Sequence, residues 1–93
     1  MQRNQKSATE YDAQIAKGNE AAALLSNALL AATLDKMEAE ATQKMIDSLK
    51  LEERELAWHK VQAVRGFKQE LKNLSNTGRI AKQKKEQLKG DAA

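Results

Sequence analysis

Residues 51–76 read LEERELAWHKVQAVRGFKQELKNLSN, and the spacing of their apolar side chains decides the fold. Ala57, Val61, Val64, Phe67, Leu71 and Leu74 recur every three or four residues. An α-helix turns once in about 3.6 residues, so this set forms one stripe along one side of a helix. Glu52, Glu53 and Glu55 crowd the start of the segment, where negative charge meets the positive end of the helix dipole. Asn76-Thr77-Gly78 supplies the expected exit, with Gly78 as the C-terminal cap residue because glycine adopts the left-handed conformation without a Cβ clash.

Residues 20–48 repeat the pattern upstream. Leu30, Leu34, Met37, Ala41 and Met45 form the stripe, Leu24, Leu25 and Leu29 widen it, and Asp35, Lys36, Glu38, Glu40 and Lys44 take the remaining faces. Asp47-Ser48-Leu49-Lys50 reads as the turn between the two helices. Nearer the N-terminus, Ser7-Ala8-Thr9-Glu10 has the S-x-x-E form of a capping box, in which serine and glutamate satisfy free amides of a first helical turn. The expected stop of that helix is Gly18-Asn19, with Asn19 capping the next one. The alternative is a helix that runs through Gly18 at a cost of about 1 kcal/mol.

Strong helix formers dominate, proline is absent, and no segment alternates with period two. The predicted architecture is therefore all-α. A long antiparallel helical hairpin (residues 20–48 and 51–76) is joined by a short N-terminal helix (7–17) in one domain spanning residues 1–78. Residues 79–93 follow as a basic C-terminal tail or frayed helix. The chain is 41% hydrophobic, but 16 of those residues are alanine and only 20 are Val, Ile, Leu, Met or Phe. Burying a large apolar side chain gains roughly 1.5–3 kcal/mol, whereas ordering each residue's backbone costs about 1–2 kcal/mol. A compact monomer would be marginal, which predicts assembly into an oligomeric bundle.

The net charge of +3 is unevenly spread: residues 1–59 carry −3 and residues 60–93 carry +6. Arg79, Lys82, Lys84, Lys85 and Lys89 are the candidate contacts to nucleic acid or to an acidic protein partner. Their uneven spacing spreads them around a helix, which suits nonspecific phosphate binding through counterion release rather than sequence reading. No aromatic residue follows Phe67, so this end offers no base-stacking platform.

Several function classes are excluded or disfavoured. The chain has no cysteine, hence no disulfide framework, thiolate metal site or cysteine nucleophile, which suits a reducing cytosol among other compartments. The single histidine, His59, rules out a two-histidine metal site within one chain, and no E-x-x-H pair or glycine-rich phosphate cradle is present. No nucleophile, base and pocket can be assembled, so neither catalysis nor a cofactor is expected. The most apolar stretch, Ala21–Leu34, is shorter than the roughly 20 residues of a membrane span. Glu10, Asp12 and Glu20 separate it from Arg3 and Lys6, which does not fit a signal peptide, so no membrane role is expected.

Trp58 stands about 140° around the helix from the stripe. It either packs against the N-terminal helix or a helix junction, or serves as an anchor for another subunit or partner, a role in which tryptophan is enriched; base stacking is a third reading. Tyr11 and Ile15, on the apolar side of the first helix, join it as candidate protein-interface residues.

Residues 56–74, LAWHKVQAVRGFKQELKNL, with the preceding LKLEERE, resemble the second half of short helical proteins of tailed bacteriophages. Genes for these proteins often lie near those for portal, head and packaging machinery. The shared pattern is an acidic R-E helix start, an aromatic residue, an A-V-R-G-F-like centre and a closing L-x-x-L. Residues 27–41, NALLAATLDKMEAEA, fit the first half of the same layout. The resemblance covers residues 23–78. It implies a phage or prophage protein in the host cytoplasm or virion that works by binding within a larger phage or host protein assembly: a virion or assembly component, or an inhibitor of a host system. The basic end carries the other reading, a small nonspecific nucleic-acid-binding accessory in genome packaging, and composition carries that of a homo-oligomer. Gly66 would suit its mid-helix position if a neighbouring helix packed closely there.

Overall fold

The structure, a computed structural model, describes residues 7–92, with side chains described through Leu88. The expectations placed on Arg3 and Lys6 lie outside the described residues, as does the Lys89 side chain. The described residues form three helices: α1 (Ala8–Leu25), α2 (Ala28–Asp47) and α3 (Leu51–Ala92). No strand occurs among the described residues. The all-α expectation holds, while several boundaries move.

Helix α1 begins at the expected capping box. The Ser7 amide donates to Glu10 Oε1 at 3.3 Å, and the Glu10 amide donates to Ser7 Oγ at 3.2 Å. It then runs through Gly18-Asn19 rather than ending there. The break falls at Ser26-Asn27, where Asn27, in extended conformation, accepts from the Leu30 amide through Oδ1 at 2.8 Å and caps α2. Asn27, not Asn19, is therefore the capping residue.

The expected turn at residues 47–50 is present. Ser48 closes α2 by donating from its amide and its Oγ to the Lys44 carbonyl, at 2.9 and 2.6 Å. Its own carbonyl accepts from Arg54 Nε at 2.7 Å, which ties the connection to the first turns of α3. Ser48 is buried, and these bonds satisfy the polar groups it takes out of water.

Helix α3 does not stop at Asn76–Gly78. It continues to Ala92, so Gly78 lies in the helix interior and residues 79–92 are helical rather than an irregular tail. The chain divides into two compact units. The first contains residues 7–23 and 71–92 among those described, and the second contains residues 24–70.

In the first unit, α1 meets the second half of α3 at two glycines. A Cβ added to Gly18 would lie 2.8 Å from Gly78 Cα and 3.0 Å from the Leu74 carbonyl oxygen. A Cβ added to Gly78 would lie 2.8 Å from Gly18 Cα and 2.9 Å from the Gln14 carbonyl oxygen. Each glycine is there because the other backbone is in the way. Tyr11, Ala21, Leu71 and Ala81 are buried around the contact. Ala81, three residues beyond Gly78, is 2% exposed.

In the second unit, Ala41, Ala57, Val61 and Val64 are the buried apolar residues. The stripe is narrower than its sequence pattern implied: Met37 and Phe67 lie at its margin, 42% and 47% exposed, and Leu24 and Leu29 are exposed as well. No atom of another segment lies within 4 Å of a Cβ built on Gly66, so the close approach considered there occurs at Gly18 and Gly78 instead.

Gly66 and Gly78 thus share one helix and should respond oppositely to a methyl group. Gly66→Ala should stabilise the protein by about 0.5–1 kcal/mol through helix propensity alone. Gly78→Ala should destabilise it by about 1–3 kcal/mol, because the methyl meets backbone that cannot rotate aside. Denaturant unfolding of both variants measures the difference; equal gains in both would contradict the close contact.

Candidate interaction surface

The second unit carries charge on one side and an apolar groove on the other. At about 100° per residue, Glu38, Thr42 and Asp35 fall to one side of buried Ala41, while Met37, Lys44 and Glu40 fall to the other. On the charged side, Arg65 Nε donates to Glu38 Oε2 at 2.9 Å. Lys68 Nζ donates to Asp35 Oδ1 at 2.8 Å and to Glu38 Oε1 at 3.3 Å. Hydrogen bonds from Arg65 and then Lys68 hold the Glu38 carboxyl below its ordinary range. Bonds to Asp35 and then Glu38 raise Lys68 above the usual lysine value. The paired numbers run in opposite order along the two helices: 35 with 68, and 38 with 65.

On the other side, Met37, Glu40, Ala41, Lys44, Glu53, Leu56, Ala57 and Lys60 line a groove of about 360 Å³. Leu56 is 70% exposed. Phe67 follows it eleven residues later, about 20° away on the helix surface, and extends the apolar strip. Glu40, Lys44, Glu53 and Lys60 form no ion pair with any described residue. No buried side-chain nitrogen or oxygen lacks a hydrogen-bond partner among the described residues.

The structure separates the residues singled out from sequence. Trp58 is 48% exposed and meets the His59 ring edge-on, with centroids 5.1 Å apart and planes at 70°. It does not line the groove. Leu51, seven residues earlier and about 20° away, shares its side of α3. Tyr11 is buried and Ile15 half-buried within the first unit, so Tyr11 is a core residue there rather than an open anchor. Arg79, Lys82 and Lys84 are exposed on α3. Lys85 is half-buried and pairs with Asp12 of α1. The groove residue that sequence reading passed over is Leu56; its eleven-residue spacing to Phe67 was the available signal.

Among the described residues, no group of three or more histidine, aspartate or glutamate side chains is placed to hold a metal ion. None of the described helices is long and apolar enough to cross a membrane. The chain matches no protein-family profile, and no curated protein or solved structure is significantly similar to it.

The lowered Glu38 value has a definite consequence for pH dependence. Its stabilisation is present above the ordinary carboxylate value and is lost as pH falls through the folded-state value. The thermal midpoint should therefore drop on acidification, and Glu38→Gln should lose less of its midpoint over the same range. Parallel curves for the two proteins would show that the Arg65 and Lys68 contacts contribute nothing in solution.

Proposed function

We propose that this chain is a non-enzymatic helical interaction protein that works by binding other proteins, copies of itself among them. The observation that carries this reading is the placement of its large apolar side chains. Ile46, Leu51 and Leu56 are each at least 66% exposed, and Leu49 in the turn is 92% exposed. Among the described residues, four of the eight buried apolar ones are alanines. Exposed leucine and isoleucine beside so thin a seam suit a surface that is covered in use.

The opposite numbering of the Asp35–Lys68 and Glu38–Arg65 pairs supports an antiparallel hairpin for α2 and the first half of α3. The phage-protein resemblance of residues 23–78 gives the setting: a virion or assembly component, or a factor that binds a host system, in the host cytoplasm or the particle. A nonspecific nucleic-acid role in genome packaging is the second reading, favoured by the exposure of Arg79, Lys82 and Lys84 along one helix.

Light scattering with and without two unrelated DNA duplexes separates the readings. The proposal expects a mass above the 10.3 kDa of one chain that neither duplex changes. A single-chain mass at every concentration would overturn it. Complexes formed only with DNA, indifferent to its sequence and lost as salt rises, would establish the second reading in its place.

A further inference from the structure

We infer that the groove between α2 and the first half of α3 is a self-docking surface, occupied by the same groove of a second copy. This deepens the interaction reading above and rests on it. The groove floor is apolar, with Met37 and Leu56 presenting exposed side chains over Ala41 and Ala57. No buried polar atom among the described residues lacks a partner, so the polar groups the groove offers are the charges of Glu40, Lys44, Glu53 and Lys60 at its rim.

The rim charges identify the occupant. Each helix contributes one acid and one base, in opposite order relative to the connection at residues 48–50. On α2, Lys44 is nearer the connection and Glu40 farther from it; on α3, Glu53 is nearer and Lys60 farther. Two such faces stacked about a two-fold axis that runs along or across the helices therefore oppose unlike charges, whereas a diagonal axis would oppose like ones. With the axis along the helices, Lys44 meets Glu53 of the other copy and Glu40 meets Lys60. With the axis across the helices, Glu40 meets Lys44 and Glu53 meets Lys60. Both orientations match, which is the self-complementarity an isologous interface requires. A uniformly acidic or basic partner would find only half of this rim complementary. Stacking two such helix pairs encloses Met37 and Leu56 in a four-helix core.

Two charge-swapped chains test the inference. The first carries Glu40→Lys and Glu53→Lys, which makes its rim wholly basic. The second carries Lys44→Glu and Lys60→Glu, which makes its rim wholly acidic. Sedimentation equilibrium should find each variant dissociated at concentrations where the unaltered chain associates, with helicity retained by circular dichroism. Mixing the two should restore association in a one-to-one complex, an outcome that misfolded variants cannot give. If both variants associate as the unaltered chain does, the groove is not the docking surface, although the broader interaction reading stands. If they dissociate and mixing restores nothing, the self-complementary rim is refuted. An unaltered chain that is monomeric throughout overturns the inference together with the reading beneath it.

Discussion

Side-chain size at the helix contacts governs the rest of this structure. Gly18 and Gly78 let two helix backbones come so close that neither position has room for a methyl group. Ala21, Ala41, Ala57 and Ala81 are buried at the seams of the two units. Contacts built from glycine and alanine hold helices close, but each buried residue removes little apolar surface from water. No large side chain among the described residues is fully buried. Several larger side chains lie at seam margins or outside them, where Leu56, Phe67 and Met37 remain in contact with solvent. A second layer of helices is the physical answer to that arrangement, and the proposed self-docking groove supplies it.

Electrostatics complements this packing. The Glu38, Arg65, Lys68 and Asp35 cluster spends its charge within the unit, across two helices. Exposed ion pairs of this kind contribute little energy, but a wrong register would set like charges against each other. Glu40, Lys44, Glu53 and Lys60 are as close to the seam on the other side, yet they pair with no described residue. One side of the helix pair is electrostatically closed and the other is open. In the proposed self-docked pair, the open side faces the second copy.

The parts of the fold legible in sequence are those fixed by short-range chemistry. Ser7 and Glu10 lie three residues apart and complete their capping box within one turn. The Ser48 connection is also local, secured by Lys44 and Arg54. The roles of Gly18 and Gly78 were not legible, for a definite reason. A glycine that ends a helix and a glycine that admits a neighbouring backbone are the same residue, and only its distant partner distinguishes the two roles. Asn27 was hidden by the alanine and leucine run around it, which continues the helical pattern across the break. Trp58 does stand off the seam, with nearly half its surface exposed, but the groove lies elsewhere. Its rim emerges only once α2 and α3 are placed side by side, because Glu40 and Lys60 carry no local signal of proximity.

The central claim is that these helices depend on a second copy to cover their apolar surface, and the concentration dependence of thermal unfolding tests it most directly. Association that favours the folded chain raises the melting midpoint by mass action. The midpoint should climb steadily as chain concentration rises over about a hundredfold range, with helicity and association lost together. A midpoint unchanged across that range would mean that the single chain folds to full stability with its groove open, and would contradict the claim.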